Sequence, residues 1–460
     1  MSDKNNANVA ADKLDFKRVL PIFVIVLVDL LGLTIIIPLL PFYAASFQAN
    51  ARMIGILGAT YPLMQLVGAP LLGRISDRVG RKPVLIASQI GTLVGFLVLG
   101  FANSLWLLFL SRIIDGLSGG NISTAQAAIS DSTTEKTRTQ GLGLVGAAFG
   151  LGFTIGPVLA FVALAASGNN YQIPAFLAAG CALISIALTV FWFEETLPEE
   201  KRGLLEARTT FSVAALLKAL TNPAVGLLLV LLFVGQLAFN GFEQILSLFT
   251  LSRLGMNAAS NAGLFVFIGV LAVIIQGGMI GLLSRRFGDR RLVFGGLAAL
   301  GVGLLLTAVT PMQTVPWYSE AAMRVELAGA AGAGTEQALT VDLPGDGNAG
   351  WLGLGWLVVA MIPASFGSVL QPAINSLITK RVTVAEIGGY LGIATAFTSA
   401  ANVSAPLIAG DVFERAGPSA PFWLFGGLLI VALVVAVIGV RKGAEERGAL
   451  EMVREGQVAK

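Results

Sequence analysis

Gly73-Arg-Ile-Ser-Asp-Arg-Val-Gly-Arg-Lys82 and Gly281-Leu-Leu-Ser-Arg-Arg-Phe-Gly-Asp-Arg290 are two copies of one charged loop, about 208 residues apart. Glycine, serine, arginine and glycine recur in register as Gly73/Gly281, Ser76/Ser284, Arg78/Arg286 and Gly80/Gly288. Each copy sits directly behind an apolar stretch of bilayer-crossing length, the second such stretch of the chain and the eighth. A charged loop that returns six spans later means a chain built as two related halves. Halves so related commonly face one another across a site near the membrane midplane.

Composition extends the same reading to the whole chain. Of 460 residues, 55% are hydrophobic and only 12% charged, and the mean hydropathy is +0.80. Soluble domains carry about 25% charged residues. The deficit here runs the full length, so lipid is the medium. With about 20 residues per crossing plus a loop, spans are predicted at 19–43, 53–72, 83–103, 105–130, 141–165, 171–193, 223–250, 260–280, 292–310, 352–378, 388–410 and 420–440. Hydrocarbon offers no water to backbone amides, so the spans are helices. The 55 glycines let such helices approach closely. The predicted fold is an all-α membrane protein of twelve transmembrane helices in two pseudo-symmetric six-helix bundles.

Basic residues set the orientation. Lys13, Lys17 and Arg18 precede a first span too long for a signal-peptide core and without a small-residue cleavage site, which holds the N-terminus inside. About 25 of the 30 basic residues then fall on the cytoplasmic side, and Arg52, Arg253, Arg324 and Arg415 outside, as the positive-inside rule expects. This predicts an inner-membrane, multi-pass protein with both termini cytoplasmic. The division reads as an N-terminal bundle over 1–193, a cytoplasmic linker over 194–222, a C-terminal bundle over 223–440 and a cytoplasmic tail over 441–460. Within the linker, Phe211-Ser-Val-Ala-Ala-Leu-Leu-Lys218 is expected as a short helix on the membrane surface. The external loop 311–351 carries Glu320, Glu326, Glu336, Asp342 and Asp346 against Arg324, and reads as a tolerated insertion in preference to a substrate lid.

Several motifs resemble one known family. The first loop, continued by Pro83-Val84, looks like the loop signature of the major facilitator superfamily. Asp29-Leu-Leu-Gly32 followed by Pro38-Leu-Leu-Pro41 resembles the first helix of tetracycline-type drug/proton antiporters. Arg112-Ile-Ile-Asp115-Gly116 is similar to the buried-arginine motif of the fourth helix. Gly152-Phe-Thr-Ile-Gly156-Pro157 resembles the antiporter motif of exporters, and Phe191-Trp-Phe-Glu194-Glu-Thr-Leu-Pro198 a common ending of the sixth helix. The resemblance implies the major facilitator fold, alternating access and proton-coupled export. It spares the 311–351 loop and both tails. Two departures stand out: the predicted third, eighth and ninth spans hold no acid or histidine, and the antiporter motif continues as Val158-Leu-Ala-Phe161 in place of a glycine pair.

Four ionisable residues fall inside predicted spans: Asp29, Arg112, Asp115 and Glu243. A charge at a helix centre costs about 2.5–3.5 kcal/mol to insert, so these are functional candidates. Counting rise per residue puts Asp29 and Arg112 within roughly 5 Å of one level, and a pairing between them is expected, direct or through water. Asp29 is the candidate proton carrier, against the alternative of a permanent structural bridge. Asp115, three residues after Arg112, shares its helix face and either tethers the guanidinium or offers a second protonatable group. Gln236, Asn240 and Glu243 form a polar stripe. The two amides read as cavity lining, whereas Glu243 is placed near the outer edge of its span, where an interfacial glutamate competes with a substrate contact. Gly73, Asp77, Arg78, Gly80 and Arg81 are too exposed to reach a midplane ligand. A gating role is expected for them, with Asp77 meeting the positive N-terminal end of the eleventh span near Gly388 when the cytoplasmic side closes. Gly152, Gly156 and Pro157 are expected to bend the fifth helix and pack it against the eighth.

No phosphate-cradling Gly-Lys-Ser/Thr loop is present, there are no histidines, and the single cysteine, Cys181, lies in a span. The sequence therefore points to no enzyme, no metal and no cofactor, and its basic residues are sorted by side, not gathered for nucleic acid. The expected partners are a small-molecule substrate, protons and the lipid bilayer, with the chain a monomer. The leading reading is proton-coupled efflux of amphipathic, drug-like compounds. A proton-coupled or uniport uptake carrier for a sugar or other metabolite is the alternative, and a non-transporting membrane sensor the third.

Overall fold

The computed structural model describes residues 15–134, 137–203, 213–330, 341–383 and 386–440. The first crossing is α1 (Phe16–Ile36), which breaks at Pro38 and resumes as α2 (Leu40–Ser46). The second and third are α3 (Ala51–Val79) and α4 (Arg81–Gly100). In the fourth, α5 (Leu105–Ser118) and α6 (Asn121–Asp131) meet at Gly119-Gly120. The first bundle closes with α7 (Arg138–Ala166) and α8 (Gln172–Phe191). A short α9 (Val213–Thr221) leads to the second bundle. Its crossings are α10 (Gly226–Leu254), then α11 (Ala258–Val273) running through a π-turn at Ile274–Met279 into α12 (Ile280–Phe287), and then α13 (Asp289–Ala308). After the loop helix α14 (Glu320–Ala330) come α15 (Leu352–Ser365) continued by α16 (Leu370–Thr379), α17 (Ile387–Ala416) and α18 (Ala420–Gly439).

Eleven of these crossings are helices long and apolar enough to span a membrane on their own. The fourth is shorter in each piece because the glycine pair interrupts it, and it completes the twelve. Of the expected linker helix, 213–218 is helical, whereas 211–212 lie outside the described residues, as do Lys13, Glu206, Arg208, Glu336 and the tail 441–460.

The two bundles touch through spans 2 and 11 and through spans 5 and 8, and small residues make both contacts possible. A Cβ on Gly410 would sit 2.5 Å from the Ala51 carbonyl, and one on Gly55 would overlap the Pro406 carbonyl. On the other seam, Gly269 packs on the Phe153 backbone, and its carbonyl accepts from Thr154 Oγ1 at 3.1 Å. All these residues lie in the middle of their spans or towards the side opposite the Gly73–Lys82 loop. There too Asp411 takes Arg52 at 2.6 Å, and Glu414 accepts the Ala51 N–H at 3.0 Å. Pro38, whose break frees its carbonyl, accepts from Asn261 Nδ2 and Ser247 Oγ of the second bundle at 3.3 and 3.4 Å. On the basic side, by contrast, Gly73, Gly143, Gly146, Gly278, Gly281, Gly388 and Gly392 have open space where a side chain would be. These cross-bundle contacts thus lie in mid-span or on the far side.

The 311–351 insertion adds to the far-side contacts. Glu326 of α14 accepts from Tyr171 Oη at 3.0 Å and Asn169 Nδ2 at 3.1 Å, both on the first bundle. It also takes donors from Asn257 and the Ala258 backbone at the start of span 8. The expectation of an insertion that merely hangs from the surface is therefore incomplete, since this helix straps the two bundles together. Burial pushes the Glu326 carboxyl above its ordinary value, the hydrogen bonds opposing that rise. The docked strap thus holds its proton more tightly than the undocked one, so docking is strongest below the ordinary carboxylate value and weakens as pH climbs through the raised one. Hydrogen exchange of the α14 amides, corrected for intrinsic rates, should accordingly slow on acidifying the far side, and Glu326→Gln should remove that pH dependence.

Candidate functional site

Asp29 lies mid-way along α1, whose neighbours are otherwise apolar, and is 9% exposed. Its carboxylate is bonded by Asn121 Nδ2. Asn121 is placed there by the Gly119-Gly120 break, which re-aims the first turn of α6. Arg112 and Asp115, 2% and 3% exposed, lie on one face of α5, with Nη1 and Oδ2 3.3 Å apart. The guanidinium also lies over the Phe96 ring, 5.8 Å from its centroid. Gly95 lets α5 come close, because any side chain there would meet Asp115 Cβ at 3.0 Å. Asp29, Asp115, Asn121, Tyr61, Thr92 and Phe96 line one narrow cavity, with room for about one water. Asp29 Oδ1, Arg112 Nη2 and Asp115 Oδ2 make no hydrogen bond, the last meeting the guanidinium as an ion pair only.

The direct form of the expected Asp29–Arg112 pairing is not formed. Arg112 turns to Asp115, three residues on along its own helix, and Asp29 is held by a neutral amide. Sequence reasoning missed Asn121, Tyr61 and Thr92. The signal for Asn121 was present in Gly119-Gly120, a helix break inside a span followed at once by a polar side chain.

On the second bundle, Asn240 Nδ2 donates to Asn402 Oδ1 of α17 at 2.7 Å, and Gln236 Nε2 to Gln371 Oε1 of α16 at 3.0 Å. The stripe is thus real and continues on two further spans. Glu243 is deeper than expected. The seventh helix runs on to Leu254, eleven residues beyond it, or roughly 16 Å. The helix thus continues four residues past the predicted end of the span at 250.

The loop residues form clamps within each bundle. Gly80 has φ +117°, and a side chain there would collide with Glu195, whose carboxylate accepts the backbone N–H of Arg81 at 2.8 Å and Lys82 at 3.0 Å. A carboxylate on the first turn of α4 is favoured by the helix dipole. Arg81 is not exposed, as the sequence suggested, but 3% accessible, held by Asp77 at 2.6 Å, Asp131 at 2.9 Å and Ser76 Oγ at 2.7 Å. Asp77 therefore faces Arg81 here and not the eleventh span, whose Gly388 and Gly389 meet nothing. Arg78 remains on the exposed side of α3, and Gly73 faces open space. In the second bundle, Asp289 opens the ninth helix, so that span does carry an acid. It binds Lys380 Nζ at 2.5 Å, Ser376 Oγ at 2.6 Å and Ser284 Oγ at 2.5 Å. Gly152 and Gly156 pack on Leu30 and Thr34 of the first span, not on the eighth, and Thr34 Oγ1 bonds the Gly152 carbonyl at 2.9 Å. Pro157 lies in an unbroken α7.

Comparison with known proteins agrees with this architecture. The family model of the Major Facilitator Superfamily matches residues 22–352. The chain belongs to the major facilitator superfamily. Among its relatives in the superfamily, the class D tetracycline resistance protein of Salmonella ordonez is 28% identical over 428 residues, covering 92% of this chain and 96% of the relative. Multidrug resistance protein 2 of Bacillus subtilis (strain 168) is 27% identical over 428 residues, with the same coverages. The crystal structure of the human organic anion transporter MFSD10 (TETRAN) is similar at a TM-score of 0.58 and 23% identity, covering 91% of this chain and 99% of that one.

The Arg112–Asp115 pair gives a stability test. Removing one partner of a buried pair leaves the other uncompensated, at a cost of about 3 kcal/mol or more, whereas removing both costs far less. Arg112→Ala should lower the detergent-solubilised Tm by several degrees, and Arg112→Ala with Asp115→Ala should recover most of the loss.

Proposed function

We propose that this superfamily transporter exports small amphipathic, drug-like compounds in exchange for protons, with Asp29 as the proton-carrying group. The observation that carries the proposal is a charge count. One buried pocket is lined by two carboxylates, and the one guanidinium beside it is engaged by Asp115. A pocket this dry is electroneutral only when it also holds a proton or a cationic group. Asp29, bonded only by an amide, is the group free to exchange one for the other. The tetracycline and multidrug resistance relatives support export of drug-like molecules, and apolar walls with few charges suit such ligands better than polyhydroxy or multiply anionic ones. A sugar or metabolite uptake carrier is the competing reading. No nucleotide-binding loop is present in the sequence, so a gradient supplies the work; one charge crossing 100 mV yields about 2.3 kcal/mol.

In this cycle the open basic side is one end state. Its closure brings α3 to α17, where Asp77 leaves Arg81 for the N-terminal end of α17. Gly73, Arg78 and Gly80 shape that loop, and Gly152 and Gly156 keep spans 1 and 5 moving as a unit. Orientation follows the basic side being cytoplasmic.

Reconstituted in liposomes with an imposed pH gradient, the wild type should move dyes or antibiotics in step with that gradient. Asp29→Asn should cut the gradient-driven component about tenfold or more, equivalent to at least 1.4 kcal/mol. Substrate movement indifferent to the gradient, or an unimpaired Asp29→Asn variant, would favour the uniport or uptake reading. Asp77→Asn should slow transport several-fold while leaving membrane insertion and the Tm close to wild type, because a neutral amide still bonds Arg81 but no longer counters the α17 dipole.

A further inference from the structure

Glu243 is the ionisable group in the spans that the proton pocket does not absorb. Its position follows from its neighbours on α10. Four residues on, Ser247 Oγ reaches the Pro38 carbonyl of the first span, and the adjacent Gln244 reaches Gly58 of the second, 2.9 Å from where a Cβ would lie. Three residues back, Asn240 bonds Asn402 of α17. Phe242, on the other side of the helix, is buried against Phe422 of α18. Glu243 thus lies on the face of α10 turned to the first bundle, just inside the seal made by Ser247 and Pro38. Counting inward from that seal, Glu243 is four residues and Asp29 nine, so their levels differ by roughly 8 Å. The Asp29 cavity is lined by first-bundle residues, and Glu243 lies on the face of the second bundle turned towards that bundle.

Among the described residues, Glu243 has neither an ion pair nor a hydrogen bond, and no charged side chain acts on it. Within one turn of it on α10 lie Asn240, bonded to Asn402, Gln244, and the rings of Phe239 and Phe242. Amide oxygens and aromatic faces accept a cation as readily as they accept a hydrogen-bond donor. The first bundle supplies no positive charge to balance it, because Arg112 is already held by Asp115. For the same reason an organic anion finds no free guanidinium in the interior of the described spans.

We propose that Glu243 is a second recognition centre, which takes the positively charged group of an amphipathic organic cation while Asp29 keeps the proton. This rests on the export reading but alters its mechanism. Proton and substrate then bind on different bundles and do not compete for one carboxylate. Loading both sites cancels the excess negative charge of the interior, which is the condition for the bundles to close.

Direct binding to the purified full chain tests this with a pair of probes of similar shape and different charge, tetraphenylphosphonium and neutral triphenylphosphine oxide. The wild type should bind the cation more tightly than the neutral probe. Glu243→Gln should weaken the cation about tenfold or more and the neutral probe much less, and Glu243→Asp should restore part of the preference. Asp29→Asn should leave the cation preference standing. Equal weakening of both probes by Glu243→Gln would assign Glu243 a structural role and overturn the proposal. Loss of the cation preference in Asp29→Asn but not in Glu243→Gln would overturn it too, as would displacement of the cation by sodium chloride in the wild type but not in Glu243→Gln, which marks an inorganic-ion site. Binding of neither probe to the wild type would overturn the drug-like reading of the function together with this one.

Discussion

An uncompensated negative charge in a medium of low dielectric is the constraint around which this protein is arranged. Lipid-facing helices tolerate no free charge, and each ionised side chain in the interior must be matched or neutralised. Arg112 matches Asp115; nothing matches Asp29 except an amide. The break at Gly119-Gly120 matters for this reason. A continuous fourth helix would carry Asn121 elsewhere, and Asp29 would then face the cavity with no donor at all. The amide leaves that carboxylate without the compensating charge a full ion pair would give it.

Closure of the hollow on one side depends on the opposite kind of residue. Where the bundles meet, Gly55, Gly410 and Gly269 let backbones touch, and polar groups that such contact would orphan are satisfied across the seam: the Pro38 carbonyl by Asn261 and Ser247, the Ala51 amide by Glu414. Without a hydrophobic drive between helices in lipid, packing and these few bonds supply the adhesion. Such adhesion is weak enough to be exchanged for another set when the opposite side shuts. The α14 strap adds a contact of the same modest strength, with Glu326 drawing donors from both bundles.

The two repeated loops use one geometry with reversed polarity. Arg81 and Asp289 are equivalent in register, 208 residues apart, and each opens the helix after its loop. Arg81 is gripped by Asp131 at the end of the fourth span, and Asp289 by Lys380 at the end of the tenth. Ser76 and Ser284, also equivalent, serve the first as acceptor and the second as donor, which only a hydroxyl allows. The pairs tie the end of one helix to the start of another, so each bundle moves as a body.

The sequence alone determined the number of spans, their order in two halves and the identity of the few charges among them, because hydropathy, the basic-residue bias and a register-matched repeat are local or periodic properties that lipid makes strict. Tertiary structure alone decided what those charges touch. Arg112 was legible as buried, but its choice of Asp115 over Asp29 depends on side-chain directions across four helices. Glu243 was legible as an acid, but which neighbours it faces is set by how α10 packs against the first bundle. The clamps at Arg81 and Asp289 and the strap at Glu326 join residues from about 50 to 157 positions apart. No periodicity in a single helix encodes which neighbour will arrive on its far side; close packing of all twelve does.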